Sequence, residues 1–316
     1  MKLAEYVVGG DVRIVDRAWP TLPKGGLLVK TEACGLCSGE LMAWYLDRKA
    51  PHVLGHEVAG VVEQSDDSRF PVGSRVFTHH HAPCLKCDAC KRGASVHCTQ
   101  WKRTFLDPGG MSEYFAVSAD GLNDALRVDG LRAVDAALIE PLACVVKSIR
   151  RSGSKGKNTA IIGAGALGLM HALLLPDAHL IERNRQRIAW ARRQRLTVKE
   201  PQPDRYETVF VCPGTPEAVQ LGFEILAPDG TLVLFAPMPP GEFLPFPQEQ
   251  AYFKDARIVN SYSCGPEDTR AAFKILTNGG LRAEQVVSDF VMLERLPEAY
   301  QRMRDGEILK AMVVFD

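Results

Sequence analysis

The sequence lacks the features that would place the chain in a membrane, on nucleic acid or outside the cell. It has no long uninterrupted apolar run, and its start, "MKLAEYVVGG", lacks the basic, apolar and small-residue order of a signal peptide. Lysine plus arginine and aspartate plus glutamate both number 38, so no net charge attracts an anionic partner. These absences predict a cytoplasmic protein that binds neither nucleic acid nor a membrane.

The chain also lacks internal repeats and low-complexity tracts, and its 316 residues favour two domains over one. Its first 120 or so residues contain short valine-rich segments separated by Gly, Pro and Asp. From about residue 133, strand-like and helix-like segments alternate, which is typical of a parallel doubly wound sheet. We predict a β-rich domain over residues 1–144, an α/β domain over 145–260, and a return to the first domain over 261–316.

Cysteine is plentiful, and its placement indicates metal rather than disulfides. Six of the nine cysteines fall within residues 34–98, and an odd, clustered set argues against a secreted disulfide framework. The segment "CLKCDACKRGASVHC" separates its cysteines by two, two and seven residues: Cys84, Cys87, Cys90 and Cys98. Four thiolates at this spacing predict a closed, structural zinc site, with an iron–sulfur cluster or chance clustering as alternatives.

A glycine-rich loop predicts a dinucleotide site in the second domain. The segment "AIIGAGALGLM" follows an apolar strand and opens an apolar helix, which is the context that a G-x-G-x-x-G fingerprint requires. Its candidate cofactor-binding residues are Gly163, Gly165, Ala166, Leu167 and Gly168.

The residues after the next strand bear on the choice between NAD and NADP. Glu182 is placed to bind the ribose hydroxyls and repel a 2′-phosphate, which favours NAD. Arg183 and the arginines that follow it either attract a 2′-phosphate, so that NADP is possible, or form a solvated helix face. Glu182 comes only 14 residues after Gly168, so we expect a shortened first helix that ends near Pro176.

Motifs spread over nearly the whole chain resemble one enzyme family. They are "CGLCSGE", "LGHEVAGVVE", the four-cysteine segment, "PGGMSEY", "LIEPLACVVKSIRR", "GAGALG" and "GEILKAMVVF". Together they resemble the zinc-dependent medium-chain alcohol dehydrogenases, in the branch that includes sorbitol and threonine dehydrogenases. The resemblance implies an α/β protein with a GroES-like β-rich catalytic domain and a Rossmann doubly wound parallel sheet, and the short spacing before Glu182 indicates that this sheet is shortened relative to the family. It also implies two zinc ions per chain, one catalytic and one structural, and a homodimer or homotetramer.

Four potential zinc ligands lie outside the four-cysteine segment: Cys37, His56, Glu57 and Glu140. A catalytic zinc takes three protein ligands and keeps one position open. By resemblance the ligands are Cys37, His56 and Glu140, and Glu57 is a carboxylate that binds directly or exchanges with Glu140. Taken singly, His56 also suits a core histidine and Glu140 a helix-start anion. We expect Cys34 to pack as a small apolar side chain.

The position two residues after Cys37 departs from the family pattern. Many relatives have serine or threonine there to pass on the alcohol proton, whereas this chain has Gly39. We therefore expect Glu140 or Glu57 to take the proton, with Ser38 as a further candidate.

Three consecutive histidines, "HHH" at residues 79–81, follow a predicted strand just before the first cysteine of the segment. On an extended strand the first and third would share a face. They form either a satisfied strand or cleft rim, or a third metal site.

These patterns together predict an enzyme, a zinc-dependent oxidoreductase. It would transfer hydride between NAD and a secondary alcohol, polyol or amino alcohol. One alternative is an NADP-linked carbonyl reductase. Another, from a different class, is a zinc- and nucleotide-binding sensor or scaffold without catalysis. Replacement of Cys37 discriminates the last of these, because only an enzyme would lose activity.

Overall fold

The computed structural model describes residues 1–154, 158–244 and 246–316. Its strands are, in chain order, β1 Lys2–Val7, β2 Asp11–Asp16, β3 Leu27–Gly35, β4 His52–Val53, β5 Glu57–Ser65, β6 Arg75–Thr78, β7 Leu106–Asp107, β8 Tyr114–Val117, β9 Ala125–Arg127, β10 Thr159–Ile162, β11 His179–Ile181, β12 Tyr206–Val211, β13 Leu226–Leu234, β14 Arg257–Asn260, β15 Asp289–Val291 and β16 Ala311–Val314. Its α-helices are α1 Ala43–Leu46, α2 Asp88–Lys91, α3 Ala133–Ala136, α4 Ile139–Ser152, α5 Ala166–Leu174, α6 Arg185–Arg193, α7 Pro216–Ile225, α8 Gln248–Phe253, α9 Pro266–Thr277 and α10 Leu296–Arg304. The chain divides into two compact units, residues 1–143 with 264–316, and residues 144–263.

The first unit is built on an eight-stranded sheet that combines strands from residues 27–127 with the C-terminal strands β15 and β16. Its main path runs β15-β16-β3-β5-β6-β9, and β8 pairs with β3 and β7. A smaller sheet has the order β2-β1-β4. Tyr6, Leu36, Phe115 and Tyr300 are among the fully buried side chains of its apolar core.

Pairing between β3 and β5 fixes the geometry of one loop region. The two strands are antiparallel, with Gly35 opposite Glu57 and Cys34 opposite Val58. Residues that follow β3 therefore lie beside residues that precede β5. A Cβ atom on Gly35 would come within 2.2 Å of Glu57 Oε2, so a larger residue at position 35 would displace the Glu57 carboxylate.

The second unit is a parallel sheet with the order β11-β10-β12-β13-β14. Helices α5 to α8 connect successive strands, and the apolar β10 and β12 are buried, as expected for a sheet covered on both faces. A parallel bridge joins Leu180 to Val198 outside β11. With Val198 counted as the remnant of a further strand, the order becomes the 3-2-1-4-5-6 of a dinucleotide-binding sheet.

This unit confirms the predicted shortening of the sheet. Helix α5 has nine residues and ends at Leu174, two residues before Pro176. Between α6 and β12, the bridge at Val198 takes the place of a full strand–helix unit. Across the described parts of the chain, no helix combines the length and apolar character that crossing a bilayer requires.

Candidate metal and cofactor sites

The four-cysteine segment folds into a compact thiol cluster between β6 and β7. All four Sγ atoms lie within 4.8 Å of one another, and the Sγ atoms of Cys87 and Cys90 are 3.6 Å apart. A tetrahedral zinc with Zn–S bonds of about 2.3 Å has S···S edges of about 3.8 Å. The backbone N–H of Cys84 donates to Cys98 Sγ at 3.3 Å, and that of Cys87 to Cys84 Sγ at 3.4 Å. This donor set fits a structural zinc ion.

The electrostatics of the cluster also suit a cation. Backbone N–H groups of Lys86 and Cys87 lower the pKa of the Cys84 thiol to about 6. Burial, followed by hydrogen bonds to neighbouring thiols, raises the pKa of Cys90 to about 12. Because four adjacent thiolates repel one another, a bound metal is what allows all of them to lose their protons.

A second cluster forms where β3 and β5 end side by side. Cys37 caps a 3₁₀ turn that follows β3, His56 directly precedes β5, and Glu57 is its first residue. The ligand atoms of these three side chains lie within 4.8 Å of one another. One thiol, one imidazole and one carboxylate are three zinc ligands that leave a fourth position open. The donor set therefore fits a catalytic zinc.

Glu40, which the sequence analysis missed, holds this cluster in place. Its Oε1 accepts from Gly55 N–H at 2.7 Å and faces His56 Nδ1 at 3.3 Å, while Oε2 accepts from Cys37 N–H at 3.2 Å. Burial opposes ionisation of Glu40, but the His56 ring and these N–H donors together lower its pKa. With Nδ1 turned to Glu40, Nε2 of His56 is the nitrogen available to a metal.

Lys310 was also missed, and it contacts the carboxylate of the cluster. Its ammonium lies 2.5 Å from Glu57 Oε2 and 3.0 Å from the carbonyl oxygen of Leu36. Lys310 is 3% exposed, and although burial opposes its charge, Glu57 and Cys37 raise its pKa. The ion pair holds Oε2 of Glu57 in place.

Glu140, the further ligand that the resemblance implies, has its own set of neighbours in this structure. It occupies the first turn of α4, and its carboxylate groups with His79 and Cys264, not with Cys37 and His56. All three of these residues are buried. His79 belongs to the triple histidine, whereas no sequence pattern indicated Cys264.

Three further residues near Cys37 were considered in the sequence analysis: Cys34, Ser38 and Gly39. Cys34 is fully buried in the apolar core, so its predicted packing role is confirmed. Ser38 is exposed to solvent. The backbone N–H of Gly39 donates to Cys37 Sγ at 3.4 Å, and burial raises the pKa of the Cys37 thiol, against the lowering effect of His56.

The glycine loop of the second unit has the geometry of a phosphate cradle. Gly163 has φ of +92°, and a Cβ on Gly168 would lie 1.9 Å from the Gly163 carbonyl oxygen. A Cβ on Gly165 would meet no atom within 4 Å, so space is open in front of the loop. Ala166 and Leu167 begin α5, whose N-terminal N–H groups are suited to anions.

Glu182 follows β11 beside this loop. Its Oε2 accepts from Ala164 N–H at 2.8 Å, and Oε1 accepts from Arg183 and Asn184 N–H, each at 2.8 Å. Nη1 of Arg187 is 4.0 Å away, and Arg183 is exposed. A carboxylate held this firmly retains acceptor capacity for ribose hydroxyls.

The chain is similar to known proteins over almost its whole length. Residues 23–125 match the alcohol dehydrogenase GroES-like domain. D-altritol 5-dehydrogenase of Agrobacterium fabrum is 27% identical over 98% of each chain, and L-galactonate-5-dehydrogenase of Escherichia coli K12 is 25% identical over 91% of each. A crystal structure described as a candidate zinc-binding dehydrogenase from Sinorhizobium meliloti 1021, bound to NADP, has a TM-score of 0.86, 22% identity and 99% coverage of both chains.

Proposed function

The chain is a relative of the zinc-dependent medium-chain alcohol dehydrogenases, and from this premise we propose which reaction it catalyses and with which residues. The predicted fold class and the enzyme class, an oxidoreductase of alcohols, are confirmed. The proposed reaction is reversible hydride transfer between a nicotinamide cofactor and a secondary alcohol, with a polyol as the favoured substrate. Both curated relatives are named for polyhydroxylated substrates, which supports this choice.

In this proposal Cys37, His56 and Glu57 hold a catalytic zinc. Their convergence at the paired ends of β3 and β5 is the observation on which the proposal rests. Zinc bound there supplies a Lewis acid that polarises the C–O bond of the substrate. Glu40 fixes the ring of His56, and Lys310 fixes the carboxylate of Glu57. A structural zinc held by the four-cysteine segment completes two ions per chain.

We assign the alcohol proton to a carboxylate and not to a hydroxyl. Gly39 has no side chain to carry it, and Ser38 points into solvent. Glu57 lies with Cys37 and His56, so it is the first candidate, and Glu140 is the second.

The second unit binds the cofactor in this proposal. Gly163, Gly165 and Gly168 cradle the pyrophosphate, and Glu182 binds the ribose, which favours NAD over NADP. The exposed Arg183 is the group that would assist NADP. A homodimer or homotetramer, as the family resemblance implies, is part of the proposal.

The test is NADH or NADPH formation by the zinc-loaded protein with a panel of alditols, aldonates, amino alcohols and simple secondary alcohols. We expect turnover of a polyol with higher kcat/KM for NAD, and loss of turnover in Cys37→Ser. Ser38→Ala should keep activity, whereas Glu57→Gln should lower it. A zinc-loaded, NADH-binding protein inert to every class of alcohol and carbonyl would favour the sensor alternative. Higher kcat/KM with NADP would remove the argument from Glu182.

A further inference from the structure

The middle one of the three consecutive histidines, His80, differs from its two neighbours in its hydrogen bonding. Nδ1 of His79 lies 2.8 Å from Asp124 Oδ2. Nδ1 of His81 lies 2.8 Å from the carbonyl oxygen of Thr104. Nδ1 of His80 is buried and has no hydrogen-bond partner within the described residues, and its Nε2 has none there either.

His80 lies directly beside the cluster that we propose to hold the catalytic zinc. Its ring centroid is 4.9 Å from that of His56, and the two rings are tilted by 52°. His81 and Trp101 also pack against His80, at centroid distances of 4.2 and 6.3 Å. The side chains of His56 and His80 are both partly exposed, so the two rings border one accessible region. Packing, and not hydrogen bonding, therefore holds the His80 ring at this place.

The unbonded nitrogens make the His80 ring a ready partner for a ligand. A phenylalanine would fill the same space without leaving a buried nitrogen unpaired, so folding alone does not explain a histidine here. Because the ring is partly exposed while its Nδ1 is buried, Nε2 is the accessible polar atom. No bond to Nδ1 fixes the tautomer, and Nε2 can therefore either donate or accept. A hydroxyl group, which also does both, matches it.

The charge state of His80 also favours a hydroxyl group over an anion. Burial, followed by the charge of His56, lowers the pKa of His80 well below its usual value. The two neighbouring histidines and Lys49 act in the same direction. The imidazole is thus uncharged at neutral pH, with one donor and one acceptor, and it suits an uncharged polar group.

We propose that His80 binds a hydroxyl group of the substrate on the carbon next to the one that is oxidised, and so selects a polyol over a simple secondary alcohol. This inference rests on the proposed function, because it concerns the same site. With the reacting hydroxyl beside Cys37 and His56, the next hydroxyl along the substrate lies within reach of the ring that contacts His56. A simple alcohol offers a methylene group there and gains no hydrogen bond.

The test compares the best alditol of the substrate panel with its analogue that lacks the hydroxyl on the carbon next to the one oxidised. In the wild type the alditol should have a kcat/KM about 3–10-fold higher, the factor that one net hydrogen bond supplies. His80→Phe keeps a ring but has no nitrogen, so it should lose this preference through a lower kcat/KM for the alditol alone. His80→Gln places an amide near the position of Nε2 and should restore part of the preference.

Zinc content and a matched variant separate substrate binding from a structural role. His80→Phe removes no proposed ligand, so it should retain as much zinc as the wild type, measured by elemental mass spectrometry. His97→Gln, a change at an exposed histidine of the first unit, should alter neither the preference nor the zinc content.

Each result decides for or against the role of His80. Equal losses for both substrates in His80→Phe, or a loss of zinc, would mean that the ring only packs against His56, and would overturn the proposal. An unchanged preference would overturn it while the dehydrogenase function stands, whereas a wild type that oxidises no alcohol would remove both. Should His80→Phe misfold, His80→Asn places its amide near Nδ1 and should lose the preference that His80→Gln keeps. A full preference in His80→Asn would contradict the assignment to Nε2.

Discussion

Glu40 fixes two of the three ligands proposed for the catalytic zinc. One oxygen faces His56 Nδ1 and the other accepts from the backbone N–H of Cys37. Because the side chain is buried, these contacts are not screened by solvent. The orientation of His56 and the start of the turn after Cys37 therefore depend on one carboxylate.

Replacement of Glu40 should weaken metal binding without removing a ligand. In Glu40→Gln the amide resembles the carboxylate in shape, but it loses the charge that holds the proton on His56 Nδ1. We expect zinc at the Cys37 site to dissociate about 10–100-fold more readily, measured by competition with a chromophoric chelator. Glu63→Gln, an exposed change on β5, is the control. Equal zinc affinity in both variants would show that Glu40 does not position His56.

Sequence reasoning reached some residues of this site and not others, for a physical reason. Short motifs contain three of them, Cys37, His56 and Glu57, and such motifs can be read directly from neighbouring residues in the sequence. Glu40 stands at the third position of the turn capped by Cys37 and bonds back to the cap, but the usual capping-box pattern has Ser or Thr at the cap, so a search for that pattern would miss it. Lys310 is 253 residues from Glu57, and only the folded sheet joins them.

At the scale of elements, the strand–loop–helix unit β10–α5 contains two glycines whose side-chain hydrogen would be replaced by a Cβ atom with different consequences. At Gly168 the requirement is internal, since a Cβ would collide with the Gly163 carbonyl oxygen at 1.9 Å. At Gly165 a Cβ meets no protein atom within 4 Å, and φ is −71°, which alanine adopts readily. A requirement for glycine at residue 165 must therefore come from a bound ligand.

Two alanine variants should separate stability from cofactor binding. Gly168→Ala should destabilise the protein by about 1–3 kcal/mol, because the helix must move away from the loop. Gly165→Ala should leave the melting temperature unchanged and raise the Kd for NADH at least about tenfold, because its methyl group occupies the approach of the pyrophosphate. Thermal melts and fluorescence titration with NADH check the pair. Unaltered NADH affinity in Gly165→Ala would place the cofactor elsewhere.

The alternation of strand-like and helix-like segments in the sequence predicted the parallel sheet. Each buried strand is a short apolar run, and each helix shows apolar residues at helical spacing. The sequence predicted only that the segment before β12 is too short for a full strand–helix unit. It did not predict that the outer strand is reduced to a bridge at Val198. The grouping of Glu140 with His79 and Cys264 was not predictable, because it depends on where α4 and α9 begin relative to β6.

At the scale of the whole molecule, the first unit is held together by contacts between the beginning and the end of the chain. Strand β16 pairs with β3, and Arg132 binds Asp135 and Glu284 at distances of 2.7–2.9 Å. The backbone N–H of Ala283 also donates to Asp135 Oδ1 at 2.8 Å. Arg132 thus links α3 to the C-terminal segment.

This link should add a small acid-sensitive contribution to stability. The hydrogen bond from Arg132 lowers the pKa of Glu284 to about 2, against about 4.3 for an unfolded glutamate. A lowered carboxyl pKa stabilises the fold above pH of about 4.3, and that contribution disappears as the pH falls toward about 2. Since the Glu284 side chain is 54% exposed, we expect Glu284→Gln to cost less than about 1 kcal/mol at pH 7.

Urea unfolding of wild type and Glu284→Gln between pH 7 and pH 3 measures this contribution. The difference in unfolding free energy should stay constant from pH 7 to about pH 5 and shrink below about pH 4.3, because the unfolded wild type then takes up a proton at Glu284 while the folded protein, whose Glu284 pKa is about 2, does not. Glu200→Gln, an exposed change in the second unit, should show no such dependence on pH. A difference that persists undiminished at pH 3 would mean that Glu284 contributes by packing and not by its charge on Arg132.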